Sequence, residues 1–383
     1  EPAQTFSKAV LTEVQLQNIP APGRRIKNLF LLTPTTQIEP ECGGFSISGQ
    51  KGVYTAFNVD GGDYTSSHFC GHVEMGPTIA VEAVQELQVL RSTFSAEFGR
   101  STGGIVNLAT KSGTNQFHGA GFELARADKL THKDPFNREQ IEMGHQFGGS
   151  FGGPIKKDRT FFFTSGEIQR NRKPIQVYYD QLDAQNLRST PGAQTLLSIA
   201  PEKDLMAKSS LESTITRLDH NLTDNNRLTV RFDFTRNEIT DVAGSFINTN
   251  GLGSATFTNR DVTNAAPTSN RTNFTGSVQL NSVLSARTVN ELRFSEASEF
   301  RPWDPGNGPE VTVNNAGQTL AIYGPQGTGL SYGNVGYKFS DRRHQVTDNF
   351  SIITGAHTMK LGFDANLVNS EVDRKSTRLN SSH

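Results

Sequence analysis

Three segments in the C-terminal two-thirds of the chain alternate strictly between apolar and polar residues: 228–235, 274–280 and 359–367. Successive side chains of a β-strand point to opposite faces, so a period of two predicts strands with one apolar and one polar face. The apolar face carries Val230, Phe232, Phe234, Phe274, Val278, Leu280, Leu361, Phe363 and Leu367. The polar face carries Arg231, Asp233, Lys360 and Asp364. These segments predict antiparallel hairpins.

The segments between these strands are of two kinds. Residues 223–226 and 354–357 have the composition of tight turns, whereas residues 236–272 and 301–340 are long, polar and rich in Gly, Asn and Thr. A soluble β-sandwich or soluble barrel would show the same alternation. Short turns at one rim and long loops at the other are typical of bacterial outer-membrane barrels, and compact soluble domains seldom contain such long loops.

Composition permits this interpretation without deciding it. The 383 residues carry a formal net charge of -1, which gives no basic footprint for nucleic acid. Hydrophobic residues make up 34%, yet there are 36 Gly and 25 Phe. Low hydrophobicity with many aromatic residues fits a barrel in which alternate residues contact lipid. No apolar run approaches the ~18 residues of a membrane-spanning helix.

Three ordered motifs in the first 163 residues carry a family resemblance. Residues 57–63 read FNVDGGD, and residues 95–119 read SAEFGRSTGGIVNLATKSGTNQFHG. Residues 145–155 read HQFGGSFGGPI and are followed by KDRTFFF at 157–163. Together they resemble the region of TonB-dependent outer-membrane receptors where the plug domain passes into the first barrel strand, with the greatest similarity to the Oar-like branch.

The resemblance implies an α+β plug domain followed by an incomplete antiparallel transmembrane β-barrel. Residues 1–8 would be a linker remnant, 9–113 the plug and 114–373 the first part of the barrel. Residues 374–383 abandon the alternation and are interpreted as a non-native tail. Within the plug we expect a short amphipathic helix in 24–32, a helical start at Val81 and a turn at Gly61–Gly62. Plug strands are expected at 45–48, 55–60, 86–91 and 104–110.

The resemblance also implies a function. Such a receptor lies in the outer membrane of a Gram-negative bacterium, contacts lipid, binds an extracellular ligand at its outer loops and plug apex, and imports it when TonB displaces the plug. Its partners would be TonB, ExbB and ExbD, reached through a segment expected before residue 1. No enzymatic motif, cofactor, metal or nucleic-acid partner is predicted. The alternative is a non-transporting surface adhesin or ligand-binding protein with β-structure.

Candidate ligand-contacting residues lie in and after the motif at 57–63. On a strand His68, Cys70 and His72 would share one face. Asp60 and Asp63 form a turn and complete the predicted apex set. The His and Cys side chains could suit zinc or copper, but the segment has no paired Cys-x-x-Cys, and a solvated loop is the simpler interpretation.

Two further pairs are singled out. Glu97 and Arg100 are expected at the contact between plug and barrel, because buried charges need partners; a solvated i,i+3 pair is the alternative. Cys42 and Cys70 are the two cysteines of the chain. In an oxidising compartment they could form a disulfide, the alternative being two unpaired core residues.

Overall fold

The computed structural model describes two arrays of strands. The described residues are 7–19, 26–38, 45–65, 79–92, 97–99, 101–127, 130, 143–177, 203–240, 268–304, 311–315, 318–323, 337–355 and 357–374. Those up to residue 110 form a small mixed unit, here called the N-terminal unit. Most of the later ones form one antiparallel sheet, here called the long sheet.

The N-terminal unit is built on a five-stranded sheet with two short helices. Its elements are β1 (Ser7–Thr12), α1 (Glu13–Asn18), α2 (Ile26–Phe30), β2 (Thr36–Ile38), β3 (Phe45–Ile47), β4 (Thr55–Val59), β5 (Gly62–Asp63), β6 (Val84–Ser92) and β7 (Gly104–Thr110). The strand order is β1-β6-β7-β4-β5, and β2 pairs with β3 separately. The β4–β7 pair is parallel and the other pairs are antiparallel. Leu29, Phe45, Val59, Leu87 and Val106 belong to its buried core.

The predicted strands of this unit are present, but three local expectations are wrong in detail. The helix expected at Val81 is a single 3-10 turn ending at Ala83, because β6 lies between β1 and β7 and is extended from Val84 onward. The amphipathic helix in 24–32 is confined to α2, five residues long. The turn after β4 lies one residue earlier than expected, since Val59 pairs with Gly62.

The long sheet has nine strands among the described residues. They are β8 (His118–Arg126), β9 (Met143–Lys156), β10 (Thr160–Val177), β11 (Lys203–Thr223), β12 (Asn226–Thr240), β13 (Thr268–Ser285), β14 (Thr288–Asp304), β17 (Tyr337–Thr354) and β18 (His357–Arg374). A separate hairpin, β15 (Val311–Asn315) and β16 (Gln318–Tyr323), lies between β14 and β17 in sequence. Each strand of the long sheet pairs antiparallel with its neighbour in the chain order, from β8 to β18, apart from this hairpin.

The turn prediction is confirmed at one rim of the long sheet. Thr223 pairs with Asn226, and Thr354 pairs with His357, so both hairpins close through two residues. The long segments are shorter than expected, because β12 continues to Thr240 and β13 begins at Thr268. The ladder extends through these polar residues because backbone pairing does not require apolar side chains.

The alternation separates two faces of the long sheet. Phe232, Phe274 and Val278 are 42%, 38% and 44% exposed on the outer face. Arg231 and Asp233, one position along, are 2% and 0% exposed on the inner face, which carries the N-terminal unit. The predicted division of faces is therefore confirmed for β12 and β13. No described helix is long and apolar enough to cross a membrane.

If the outer face of the long sheet contacts lipid, a charged side chain introduced there should destabilise the protein most near the middle of the bilayer. Phe232, packed edge-on against Phe274 with ring centroids 4.7 Å apart, lies near mid-height of β12. Phe232→Lys is expected to lower the free energy of unfolding in a bilayer by about 2–4 kcal/mol. Urea titration of the protein folded into liposomes measures this loss. Phe232→Leu is the matched control and should cost less than half as much; equal costs would contradict a lipid-facing surface.

Candidate functional site

The candidate site is the polar contact between the N-terminal unit and the inner face of the long sheet. It begins at the two-residue turn between β4 and β5. Asp60 and Gly61 have φ angles of +44° and +79°, the left-handed conformation that an Asp-Gly hairpin turn requires. The φ of Gly61 favours glycine, and a Cβ there would also displace the guanidinium of Arg293, which lies against this turn. The turn thereby places the Asp60 carboxylate between the two arrays.

The Asp60 carboxylate is held by hydrogen bonds from within the N-terminal unit as well as by the long sheet. The Thr110 backbone N–H donates to Asp60 Oδ1 at 2.9 Å, and the Thr110 hydroxyl donates to Oδ2 at 2.6 Å. Because Thr110 ends β7, the parallel neighbour of β4, the carboxylate orientation is set by the sheet of the N-terminal unit. The carboxylate is therefore preorganised for a cation on the inner face.

That cation is Arg231 of β12, whose side chain is 1% exposed. Its Nη1 lies 2.7 Å from Asp60 Oδ2, and its Nε lies 2.9 Å from Asp233 Oδ2. Its Nη2 donates to the Tyr64 hydroxyl, and its Cζ lies 5.3 Å from the centroid of the Tyr64 ring. Thr275 donates to Asp233 Oδ2 at 2.6 Å. A buried guanidinium is thus satisfied by groups from both arrays, as a charge removed from water must be.

A second arginine reinforces this contact from the neighbouring strand. Arg217 of β11 lies opposite Arg231 in the ladder, and its Nη1 donates to the Thr110 carbonyl at 3.3 Å. The same Nη1 is 3.9 Å from Asp60 Oδ1. Its Nε and Nη2 donate to Asp219 at 3.0 and 3.2 Å. Two like charges can lie side by side because each has a carboxylate of its own.

Asp63, at the end of β5, makes the corresponding contact with β17. Arg343 Nη1 lies 3.0 Å from Asp63 Oδ1, and the side chains are 2% and 11% exposed. The Asp63 backbone N–H donates to Gln345 Oε1 at 2.9 Å. The Ser295 hydroxyl donates to the same oxygen at 3.0 Å. We call the contacts of Asp60, Asp63 and their arginine partners the buried seat.

Apolar contacts accompany the seat on the β10–β14 side. Phe163, Ile215 and Ala297 of the long sheet are 1%, 3% and 6% exposed and belong to the same buried cluster as the core of the N-terminal unit. At Gly113, where the chain passes toward the long sheet, a Cβ would collide with the backbone of Phe162. The unit and the sheet therefore meet without an intervening gap at these positions.

The electrostatics of the seat favour an ionised Asp60. Burial of this carboxyl acts to raise its pKa, but Arg231, Arg217 and the two hydrogen bonds from Thr110 outweigh burial and hold the pKa below its ordinary value of 3.8. Burial raises the pKa of the Tyr64 hydroxyl to about 12, so Tyr64 is a neutral hydrogen-bonding partner at physiological pH.

The structure describes three of the residues predicted from sequence as site residues, and the others lie outside the described ranges. Glu97 contacts Lys360 of β18, and Asp60 and Asp63 face arginines of the sheet. Arg100, Cys42 and the cluster His68, Cys70 and His72 lie outside the described residues, so their roles and the disulfide stay predictions.

Sequence reasoning placed Arg231 on the inner face but did not identify it, Arg217, Arg343 or Tyr64 as site residues. One signal was available: Arg217 and Arg231 each stand two positions before an aspartate on the same face of a strand. Nothing in the sequence, however, indicates which residue of the N-terminal unit lies opposite these arginines, because Asp60 and Arg231 are 171 positions apart.

Comparison with known proteins agrees with the architecture of the long sheet. A family model described as an outer membrane beta barrel domain matches residues 109–189 and 184–381. The TonB-dependent transporter Oar of Myxococcus xanthus is 33% identical over 149 residues, which are 37% of this chain and 14% of that protein.

Solved structures share the fold at low identity. The outer membrane transporter YddB of Escherichia coli superposes with a TM-score of 0.66 at 12% identity, over 95% of this chain and 48% of that one. A mutant of the ferric enterobactin receptor PfeA of Pseudomonas aeruginosa gives 0.62 at 13% identity, over 97% and 50%. The chain thus spans about half the length of these structures and a smaller part of the curated relative.

A nine-stranded antiparallel sheet with apolar outer and charged inner faces is an outer-membrane architecture. The chain belongs to the outer-membrane β-barrel family. The resemblance to TonB-dependent receptors and their Oar-like branch is confirmed, as is a place in the outer membrane of a Gram-negative bacterium. The relatives found are transporters and receptors, not enzymes.

The seat predicts a large effect of deleting the Arg231 charge. Arg231→Met leaves Asp60 and Asp233 buried without their main cation and is expected to destabilise the N-terminal unit by about 3–5 kcal/mol. Hydrogen exchange of the β4 and β7 amides in the detergent-solubilised protein measures this. Arg236→Met is the control, because the exposed Arg236–Glu238 pair, 3.4 Å apart, should contribute at most about 1 kcal/mol. Similar losses in both variants would contradict the buried seat.

The lowered pKa of Asp60 predicts acid sensitivity with a defined sign. A pKa lowered by folding means that the ionised group stabilises the folded state above 3.8, and that this contribution disappears as pH falls through the folded-state pKa. Calorimetry of the whole protein, in which Asp60 keeps Arg231 and Arg217 as neighbours, should show this loss between about pH 7 and pH 3. Asp60→Asn should be less stable at neutral pH and lose less on acidification. An equal acid-induced loss in both proteins would refute the assignment.

Proposed function

We propose that the chain is the plug and the first nine barrel strands of a TonB-dependent transporter. In this proposal residues 9–113 are the plug, 114–373 belong to the barrel, and an extracellular ligand is imported when TonB, energised by ExbB and ExbD, displaces the plug. The transporter class of the relatives supports this assignment. It is not an enzyme in this proposal, and it needs no cofactor.

The observation that carries the proposal is the chemistry of the seat. Along the β4–β5 turn the N-terminal unit is held by carboxylates on arginines, with only a few apolar side chains beside them. Ion pairs and hydrogen bonds can be exchanged for water when a unit moves inside a polar lumen, whereas an extended apolar interface would expose its area at high cost. A surface adhesin would have no need of a unit seated in this way.

The seat also divides the predicted ligand set. The oxygens of Asp60 and Asp63 are engaged by Arg231 and Arg343, so we assign these two aspartates to the seat. Contact with the ligand is proposed for His68, Cys70 and His72. Glu97 is proposed for the plug–barrel contact through Lys360, and Arg100 for the same contact as its sequence neighbour.

Cysteine labelling of the barrel wall tests the proposal without knowledge of the ligand. Ser295 is 4% exposed beneath the N-terminal unit, so a cysteine there should react only when the unit moves. Ser295→Cys is introduced into full-length protein with Cys42→Ser and Cys70→Ser, and whole cells are treated with a maleimide that passes through porins. Labelling is expected in cells with TonB and should fall to background in cells without it or after addition of a protonophore.

Ser285→Cys is the matched control, because Ser285 lies exposed at the β13–β14 turn. It should be labelled equally with and without TonB. If the Ser295→Cys protein stays unlabelled both with and without TonB, the result would contradict the transport function and favour a non-transporting surface protein.

A further inference from the structure

A group of cations lies at the tight-turn rim of the long sheet, in the turn between β9 and β10. Lys156, Lys157 and Arg159 are all exposed, and none of them forms an ion pair with another described residue. The turn lies within the motif that reads HQFGGSFGGPI and continues as KDRTFFF. This motif takes no part in the buried seat, so its charges must be explained by something other than the contact with the N-terminal unit.

The carboxylate of this turn is engaged by asparagines. Asp158 has a φ of +61°, and its Oδ1 accepts a hydrogen bond from Asn115 Nδ2 at 2.5 Å. Its backbone N–H donates to Asn115 Oδ1 at 2.8 Å, and its carbonyl accepts from Asn221 Nδ2 at 3.1 Å. Asn115 precedes β8 and Asn221 lies in β11, so the turn is held from both sides. The turn is therefore fixed, and its cations outnumber its carboxylate three to one.

A register shift places Lys156 on the outer face of the long sheet. The β9–β10 ladder shifts next to Thr160, so that Lys156 lies opposite Thr160 with one extra residue, Ile155, in β9. Thr160 shares a face with Phe162, two positions along, and cross-strand partners lie on the same face. Phe162 lies opposite Leu218, which is exposed on the outer face. The Lys156 ammonium is therefore on the side of the sheet that faces lipid.

His220 of β11 extends this row along the outer face. It pairs with Thr160 in the ladder, and the Thr160 hydroxyl and His220 Nδ1 are 2.8 Å apart. The ring is thereby held across β10 and β11, and its Nε2 has no hydrogen-bonding partner in the part of the chain that the structure describes. Lys156, Thr160 and His220 thus place polar groups side by side on three adjacent strands.

Apolar side chains continue from these polar groups toward the middle of the sheet. Ile155 is 64% exposed, and Phe151, 49% exposed, stacks on Phe117 with ring centroids 5.8 Å apart. The ring of Phe162 lies 5.6 Å from that of Phe151. A Cβ at Gly153 would collide with the Phe117 ring, so this glycine leaves room for the stack on β9. Aromatic rings at this level lie where the hydrocarbon region of a bilayer meets the headgroups.

We propose that these residues, here called the rim patch, bind an anionic phospholipid of the periplasmic leaflet, which the tight turns of an outer-membrane barrel face. The cations of the turn bind the phosphate oxygens, and His220 Nε2 is a further group within the same row. The acyl chains lie on Ile155 and the aromatic rings. Charge complementarity favours this occupant, because unpaired cations beside apolar surface match an anionic headgroup with its chains. A soluble anion would use the cations but not the rings next to them.

The rim patch does not depend on parts of the barrel outside this sequence. It lies mainly on β9, β10 and β11, and each of these strands pairs with a neighbour on both sides. The N-terminal unit lies on the opposite face, so its movement leaves the patch unchanged. Lipid binding here requires the outer-membrane location but not transport, and either function can fail without the other.

Quenching by nitroxide lipids tests the proposal at the rim patch itself. Full-length protein with Leu218→Cys and all other cysteines replaced by serine is labelled with bimane and reconstituted into phosphatidylcholine vesicles. A small fraction of the lipid carries an acyl-chain nitroxide on either phosphatidylglycerol or phosphatidylcholine. Quenching should show about a tenfold preference for the phosphatidylglycerol probe. In 1 M salt the preference should fall below about threefold.

The control reporter is Leu292→Cys. Leu292 is exposed on the outer face of β14, four positions from Thr288 at the same rim. It lies four strands from β10 in the order of the long sheet. Bimane at this position should show no preference between the two probes.

Substitutions of the cations identify the groups that bind the headgroup. The triple variant Lys156→Gln/Lys157→Gln/Arg159→Gln should lower the preference at residue 218 to less than about twofold. Lys156→Gln alone, which changes a single exposed side chain, should lower it about threefold. Arg287→Gln removes an exposed cation of the β13–β14 turn at the same rim and should leave the preference unchanged.

Equal quenching by the two probes at residue 218 would overturn the lipid site and favour a periplasmic protein as the partner of these cations. A tenfold preference that survives the triple substitution would overturn it as well. The same preference at residue 292 would show a general attraction to the rim and would contradict a site at the β9–β10 turn.

Discussion

The docking of the N-terminal unit on the long sheet depends on the burial of one guanidinium group. Arg231 is buried between the N-terminal unit and the long sheet, and its nitrogens contact Asp60, Asp233 and Tyr64. Such burial is tolerated only when every charge has a partner, and here the partners come from both arrays. Movement of the unit away from β12 would leave Arg231 and Asp233 without Asp60 and Tyr64, which makes the seat specific to one docked position. This polar contact, more than the area of apolar packing, fixes how the two arrays fit together.

The buried seat holds the β4–β5 turn of the N-terminal unit on both of its sides. Buried pairs and the side chains of Phe163 and Ile215 stabilise the flank toward β10–β12. The Asp63–Arg343 pair, with side chains 11% and 2% exposed, holds the same turn to β17. Movement of the unit toward either side would therefore uncover desolvated charge.

Much of the architecture could be predicted from sequence because its rules are local. Alternation in 228–235 identified strand faces, and the two-residue turns at one rim followed from their composition. The ends of the strands could not be predicted where backbone pairing sets them. β12 continues through the polar residues 236–240 because its backbone is paired with β13. The same holds for β6, where neighbours on both sides replaced the expected helix by a strand.

The candidate site was harder to predict because its geometry is not local. The Asp-Gly dipeptide at 60–61 signals a hairpin turn, but only the tertiary arrangement brings its carboxylate to Arg231. Arg343 and Lys360 lie still farther along the chain, 280 and 263 positions from their acidic partners. A single sequence shows which residues are charged but not which of them form pairs.

The order of the strands has a consequence for biogenesis. Apart from β17, which follows the separate β15–β16 hairpin and pairs with β14, each strand of the long sheet pairs with the strand just before it, so this wall can grow by successive hairpins. The N-terminal unit is synthesised before every strand of that wall. Because Asp60 belongs to the same chain, it is available to Arg231 at a high effective concentration when that guanidinium leaves water. Covalent linkage thus keeps the counter-ion within reach of the charge that is to be buried.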